Sequence, residues 1–227
     1  MISVVIPAFN AAHLVGDAIR SILAQGHPSI EILVVNDGST DETASVATQF
    51  GAPVTCLTRV QGGTAAARNT GVAQARGQWL AFLDADDLWA AGKLDRQIEA
   101  LTADPSLEAV FGHVQQMVMQ PGGVHTPVGA PQPGHTASTM LIRRDAFDRV
   151  GAFNAELPLA EAVDWFDRAG AAGLRLVTLP DVVLYRRIHG QNAGILHKEA
   201  QVGQYFKVLR ASLERRKKAT SDPAGNR

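Results

Sequence analysis

Residues 79–87 read Trp-Leu-Ala-Phe-Leu-Asp-Ala-Asp-Asp, an apolar run that ends in three carboxylates within four positions. A short apolar run with a sharp polar end is typical of a buried strand that delivers its last residues to a site. Asp84 and Asp86 stand one residue apart, so both could approach one cation, which would relieve their mutual repulsion. The same residues could instead cap a helix. The stretch alone leaves both interpretations open.

The sequence on the N-terminal side of this stretch alternates between two patterns of apolar residues. Short β-branched runs predict strands, and apolar residues at helical spacing predict helices between them. The predicted strands are 2–6, 31–35, 54–57 and 79–83, and the predicted helices are 11–24, 41–50 and 65–75. Strands joined by helices imply a parallel sheet covered on both faces, with ligands bound beyond the carboxyl ends of the strands. Polar turns stand at those ends, at 7–10, 36–39 and 84–87.

The second half of the chain is less regular. The patterns predict helices at 88–101, 144–150, 161–171 and 197–218, and strands at 109–119, 174–177 and 182–186. The segment 120–135 holds four prolines and four glycines, which predicts a surface loop or a hairpin tip. Residues 219–227 are predicted to be disordered.

Composition narrows the class of protein. A chain of 227 residues with a net charge of -1 suits one large domain and has no global field that would favour nucleic acid. The single cysteine, Cys56, stands among apolar residues and is expected in the core of a protein from a reducing compartment. No segment approaches the roughly 20 apolar residues of a transmembrane helix, and the start lacks the basic region of a signal peptide. We therefore expect a cytoplasmic protein, with peripheral contact at the inner face of the membrane left open by the basic end of the last predicted helix.

Four motifs, taken in order, closely resemble glycosyltransferase family 2, whose fold is of the GT-A type. They are VVIPAFN (4–10), VVNDGSTD (34–41), ARNTG (67–71) and LDADD (83–87), and a looser likeness continues through 143–153, 163–165 and 185–189. The resemblance implies an α/β fold with a Rossmann-like, mainly parallel sheet flanked by helices and a mixed α+β acceptor half. It implies a single domain over 1–218, divided into a nucleotide-sugar-binding half (1–90), an acceptor half (91–196) and a C-terminal helix (197–218).

The resemblance also implies an activity, namely an inverting, metal-dependent transfer of one sugar from a nucleotide diphosphate sugar to a hydroxyl group. The donor is expected to be a UDP-sugar, and the diphosphate leaving group would need Mg²⁺ or Mn²⁺. We expect Asp86 to bind the metal, Asp84 to contact the ribose or a metal-bound water, and Asp87 to cap the helix that follows.

Other residues of the motifs are expected to contact the donor. Asp37 would accept a hydrogen bond from the uracil base, although an Asx turn or a helix cap would also explain it. Arg68 would reach phosphate oxygens, although a lone arginine on a helix is more often a solvated surface residue. The remaining residues expected at the nucleotide-sugar or its metal are Pro7, Ala8, Phe9, Asn10, Ala85, Arg186 and His189.

Inversion requires a base that takes a proton from the acceptor hydroxyl. The family places this base at the aspartate of an acidic-Asp-Trp pattern, which here is Asp164, and Glu161 is the reserve. Val163 replaces the usual acidic residue, which leaves open a catalytically silent protein that only binds a sugar nucleotide. A nucleotidyltransferase is less favoured, because the turn at 7–13 lacks lysine and arginine. The acceptor, whether glycan, lipid or small molecule, is not determined by the sequence, and His135 is expected on its side of the site.

Overall fold

The computed structural model describes residues 1–120, 125–190, 192 and 198–221. Within these residues the strands are β1 (Ile2–Ala8), β2 (Ile30–Asn36), β3 (Val54–Thr58), β4 (Trp79–Phe82), β5 (Leu88–Trp89), β6 (Ala109–Met119), β7 (His125–Gly134), β8 (Leu141–Arg143) and β9 (Leu176–Ile188). The helices are α1 (Val15–Leu23), α2 (Thr43–Thr48), α3 (Thr64–Gln74), α4 (Lys93–Ala103), α5 (Arg144–Val150), α6 (Glu161–Ala171) and α7 (Lys198–Ser221), with a 3-10 turn at Ala137–Thr139. All described strands form one sheet, in the order β3-β2-β1-β4-β8-β6-β9-β5, with β7 paired to β6.

The first half forms the predicted parallel sheet. β1 pairs in parallel with β2 and β4, and β2 pairs in parallel with β3. Every residue of β1 is buried, because helices cover both of its faces. Val4 and Ile6 belong to the same apolar cluster as Ile19 of α1, whereas Val5 faces Gly71 of α3. The carboxyl ends of β1, β2 and β4 therefore meet at one edge of the sheet, which brings the polar turns together.

The second half is mixed, and several predictions of its elements are wrong. β8 runs antiparallel to β4, and β6 pairs in parallel with β9 and antiparallel with β7. The predicted strands at 174–177 and 182–186 are one long strand, and the predicted helix at 88–101 begins only at Lys93, after the short strand β5. Residues 219–227 were predicted to be disordered, but α7 continues as far as Ser221. Residues 222–227 lie outside the described residues.

The proline-rich segment 120–135 was predicted to be a surface loop or a hairpin tip. Most of it is the strand β7, with residues 121–124 outside the described part. β7 pairs with β6 alone, so its other side is a free edge in the described structure. Proline is tolerated on an edge strand because no partner there needs its missing N–H. The described part of the segment is thus one arm of a hairpin, which agrees with the second of the two predicted alternatives.

Gly71, the last residue of the ARNTG motif, allows α3 to lie close to the sheet. A Cβ atom at Gly71 would stand 2.3 Å from Cγ1 of Val5 and 3.2 Å from Cγ2 of Val35. We expect Gly71→Ala to lower the free energy of unfolding by about 1–3 kcal/mol, because strand and helix would have to separate. Gly170→Ala in α6 is the matched control, since its Cβ would meet no atom within 4 Å. Urea denaturation of both variants tests this, and equal stability would contradict the packing role.

Lys93 is buried in the core at the start of α4. Its Nζ donates a hydrogen bond of 2.5 Å to Oε1 of Gln97 and lies 4.4 Å from the ring centroid of Trp89. Burial lowers the pKa of Lys93 to about 7. The folded chain therefore binds this proton less tightly than the unfolded chain, in which the lysine keeps its ordinary pKa of 10.5.

We expect this lysine to make stability depend on pH. Between about pH 7 and pH 10 only the unfolded chain carries the proton, so the free energy of unfolding should rise with pH across that window. Lys93→Met should reduce the slope, whereas Lys207→Met, at an exposed position of α7, should keep it. Denaturant midpoints measured at several pH values check this, and a wild-type slope in the Lys93→Met variant would contradict it.

Candidate active site

The carboxylate stretch forms a tight turn at the end of β4. The backbone N–H of Asp84 donates to Oγ of Ser138 at 3.1 Å, and the N–H of Asp87 donates to the carbonyl of Asp84 at 3.0 Å. Asp84, Asp86 and Asp87 all line one cavity of about 430 Å³ at the carboxyl edge of the parallel sheet. The turn therefore brings three carboxyl groups to one small volume.

Asp87 does not cap the following helix, contrary to the sequence prediction. α4 begins after Gly92 without any side-chain cap, and the Asp87 carboxylate instead accepts the backbone N–H of Arg187 at 3.0 Å. Burial, together with the nearby charges of Asp86 and Asp84, raises the pKa of Asp87 well above its usual value. Its place is explained by the pairing of the turn with β9, a contact between residues 100 positions apart.

Asp86 and His189, the two residues predicted at the metal, lie close together. His189 Nε2 lies 3.2 Å from Oδ2 of Asp86, and Nδ2 of Asn192 donates to the same oxygen at 3.1 Å. Burial and the charge of Asp84 raise the pKa of Asp86. The sequence analysis missed Asn192, whose Oδ1 accepts the backbone N–H of His189 at 2.7 Å. An asparagine three residues after a candidate ligand was the available signal, because its side chain can accept the backbone N–H three residues back.

The chemistry of these side chains fits a divalent cation that is shared with a bound ligand. Within the described residues, no three His, Cys, Asp or Glu side chains are arranged to hold a metal by themselves. A carboxylate at Asp86 and an imidazole at His189 leave most coordination positions to water or to phosphate oxygens, as Mg²⁺ and Mn²⁺ commonly accept.

Arg68 is buried and connects two carboxylates. Its Nη2 donates to Oδ1 of Asp84 and its Nη1 to Oε1 of Glu161, both at 2.6 Å, and its guanidinium lies 5.5 Å from the ring centroid of Phe153. The alternative of a solvated surface arginine is therefore wrong. The side chain still lines the cavity, and its Nε is buried without a hydrogen-bond partner among the described residues. The structure thus ties α3, the end of β4 and the start of α6 together at one point.

Asp37 holds the loop before α3. Its carboxylate accepts the backbone N–H groups of Gly62 (3.1 Å) and Gly63 (2.7 Å) and pairs with Arg59. It caps no helix, since α2 has no side-chain cap. Asp37 does not line the cavity, and neither does the buried Ala8. A contact between Asp37 and a base therefore stays a prediction, and Arg59 is a partner that sequence reasoning missed.

Asn10 joins the turn after β1 to the turn after β2. It has a left-handed backbone (φ 48°), a conformation that asparagine tolerates better than most residues. Its N–H donates to Oγ of Ser39 at 3.0 Å, and its Oδ1 accepts the N–H of Thr40 at 2.9 Å. The turn places Pro7, Phe9 and Asn10 in the cavity wall, and their contact with a nucleotide-sugar stays a prediction.

A second cavity, of about 700 Å³, adjoins the first. It lies among β7, α6 and α7, and its lining includes Val128, His135, Val163 and Tyr205. The residues that line both cavities are Arg68, Asp84, Asp87, Leu159, Glu161, Arg186 and Gln201. Two ligands, one in each cavity, would therefore meet at this shared wall. Gln201 belongs to the C-terminal helix, and no sequence signal linked it to the site.

Helix α6 presents Glu161, and not Asp164, to the cavities. Glu161 lines both of them, and its Oε2 has no hydrogen-bond partner in the part of the chain that the structure describes. Asp164 lines neither, because its Oδ2 accepts Nε of Arg168 at 2.9 Å and its Oδ1 lies 3.9 Å from Nη2 of Arg215. The structure thus brings Glu161, and not Asp164, to the cavities, and the identity of the base stays a prediction.

Comparison with known proteins agrees with this geometry. Residues 3–151 match the model of the family Glycosyl transferase family 2. The chain is 38% identical over 117 residues to WfgD of Escherichia coli, a UDP-Glc:alpha-D-GlcNAc-diphosphoundecaprenol beta-1,3-glucosyltransferase, covering 51% of this chain and 46% of that protein. It is 39% identical over 101 residues to an uncharacterized glycosyltransferase of Rickettsia prowazekii, covering 44% of this chain and 32% of that one. The chain thus spans less than half the length of these relatives.

Solved structures share the fold. TarS 1-349 of S. aureus, in complex with UDP-GlcNAc, superposes with a TM-score of 0.70 at 21% identity, over 84% of this chain and 59% of that one. A mannosyltransferase from Pyrobaculum calidifontis, in complex with GDP-Man and Mn²⁺, has a TM-score of 0.70 at 22% identity, over 92% of this chain and 64% of that one. The fold is thus of the GT-A type, as predicted. With the family match over residues 3–151, this shows that the chain belongs to glycosyl transferase family 2.

Proposed function

We propose that the chain is a glycosyltransferase that binds a nucleotide diphosphate sugar in the first cavity and transfers the sugar, with inversion, to a hydroxyl group in the second. The observation that carries the proposal is the shared wall of the two cavities, where the Glu161 carboxylate and the Arg68 guanidinium meet. We further propose that residues 1–90 bind the donor and that residues 91–196 and α7 shape the acceptor side, within one domain over 1–218.

The donor is proposed to be a UDP-sugar. A relative named for UDP-Glc and a structural neighbour solved with UDP-GlcNAc support uridine, and a neighbour solved with GDP-Man and Mn²⁺ supports a divalent cation. A cation held by Asp86 and His189 would neutralise the charge that develops on the departing diphosphate. Arg186 lines the same cavity and would add a positive charge there.

Glu161 is proposed as the base. Its Oε1 is held by Arg68 at 2.6 Å, which fixes the direction of the carboxylate and leaves Oε2 to take the proton of the acceptor hydroxyl. Asp164 would act through packing. It holds Arg168 of the same helix, and its pair with Arg215 connects α6 to α7.

Two measurements test this function. A thermal-shift screen of UDP- and GDP-sugars with Mn²⁺ or Mg²⁺ should raise the melting temperature for the true donor, and EDTA should abolish the rise. Release of UDP in the presence of donor and acceptor should accompany transfer. Release of pyrophosphate from a nucleoside triphosphate and a sugar phosphate, assayed separately, would point to a nucleotidyltransferase instead.

A catalytically silent sugar-nucleotide binder is the second candidate. The observation that favours it is the burial of Asp164, the residue that the family pattern assigns as base, between two arginines. A melting-temperature rise without any turnover across a broad set of acceptors would support this alternative.

A further inference from the structure

The outward face of α7 carries a row of exposed apolar side chains. Val202, Phe206, Leu209 and Leu213 are between 45% and 67% exposed. Their spacing of four, three and four residues places them on one stripe of the helix. A row of exposed apolar side chains on one helix face is a candidate interaction site.

The opposite face of α7 holds the helix to the rest of the protein. Val208 and Ser212 are buried there, and Oγ of Ser212 donates to Asp167 of α6 at 2.7 Å. Gln204 accepts the backbone N–H of Leu159 at 2.9 Å. The helix is therefore already anchored by one side, which leaves the apolar row available to a partner.

The charge of α7 points to the kind of partner. Its sequence contains seven Lys and Arg and two Asp and Glu residues, a formal charge of +5 in a chain whose total is -1. Arg210 stands beside the apolar row and is exposed. A basic helix that carries an apolar row can lie in the interface of an anionic bilayer. A second copy of the chain would bring two such basic helices together, which their charge opposes.

The row continues to the mouth of the second cavity. Tyr205 precedes Phe206 on the helix, is exposed and lines that cavity. Val163 and Val128, also exposed, line the same cavity from α6 and β7. A surface that covers the row thus lies next to the cavity in which the acceptor is proposed to bind.

We propose that the Val202–Phe206–Leu209–Leu213 face of α7 binds an anionic lipid bilayer and so presents the second cavity to a hydroxyl acceptor carried on a lipid. The membrane contact stands on the surface of α7 alone. The acceptor class rests on the proposed function.

Cosedimentation of the full chain with vesicles tests the contact. Wild type should sediment with vesicles of phosphatidylcholine and phosphatidylglycerol, bind pure phosphatidylcholine far less, and dissociate as salt is raised. The double variant Phe206→Ser, Leu209→Ser should bind the anionic vesicles about 30-fold more weakly. Val60→Ser, at an exposed apolar position outside α7, is the matched control and should bind like wild type.

Three outcomes would overturn the proposal. They are no preference for the anionic vesicles, unchanged binding by the double variant, and a wild-type dimer in sedimentation velocity that the double variant dissolves. The third outcome would assign the face to a second copy. Arg210→Gln gives an independent check, because it should weaken binding at low salt without removing apolar surface.

The two proposals fail in different ways. The double variant should keep the donor-induced rise in melting temperature, because neither residue lines a cavity. If the protein binds vesicles but no sugar nucleotide, the proposed function is wrong and the proposed membrane contact still holds. If the protein transfers sugar to soluble acceptors and to vesicle-borne lipid acceptors at equal rates, the acceptor is not selected by the membrane, and the proposed lipid acceptor is wrong.

Discussion

Replacing Asp86 with alanine should lower kcat/KM for sugar transfer by about 10³-fold. Asp86 is the carboxylate that approaches His189 at 3.2 Å inside the first cavity, so its loss removes the oxygen ligand around which a cation site could form. The charge developing on the diphosphate would then have no fixed counter-charge at that point. Steady-state kinetics with a UDP-sugar and Mn²⁺ measure the effect.

The matched control is Asp95→Ala, which removes an exposed carboxylate from α4 outside the cavity. It should retain wild-type activity and the metal-dependent rise in melting temperature, while Asp86→Ala loses both. If Asp86→Ala keeps its Mn²⁺-dependent response to the donor, the metal assignment is wrong.

Replacing Glu161 with glutamine should lower kcat by about 10²- to 10⁴-fold, because the amide cannot accept a proton. The hydrogen bond between residue 161 and Arg68 can persist, so the donor should still raise the melting temperature. Asp164→Asn should instead lower the free energy of unfolding by about 1–3 kcal/mol and keep transfer within a few-fold of wild type, because its carboxylate holds Arg168 and lines neither cavity.

The pair of variants separates the two candidate bases. Loss of transfer in Asp164→Asn, at native stability and with intact donor binding, would return the role of base to the residue that the sequence pattern indicated. Loss of transfer in both variants would indicate that activity depends on the position of α6 and not on one of its carboxylates.

Local patterns predicted the first half of the fold because its strands and helices alternate along the chain and pair with near neighbours. The buried runs of β1, β2 and β4 were visible as apolar stretches, and the polar turn after each was visible as a break. The convergence of Asp86 with the turns of β1 followed from the rule for parallel sheets.

Features that depend on contacts between residues far apart in the chain could not be predicted from local sequence patterns. β7 is a strand because it pairs with β6. Its prolines are typical of loops, so the local sequence did not indicate a strand. Asp87 resembled a cap because its partner, Arg187, stands 100 residues away. The choice between Glu161 and Asp164 depends on how α6 is rotated against α7, which helical spacing alone does not fix.

The Arg68 guanidinium has a consequence for the order of events at the site. One side chain contacts Asp84 and Glu161 and lines both cavities, so a ligand that redirects it in one cavity changes the contacts offered in the other. By thermodynamic reciprocity, donor and acceptor must then alter each other's affinity by the same factor. Arg68 would thus couple the two occupancies, so that a loaded donor site sets how tightly the acceptor is held.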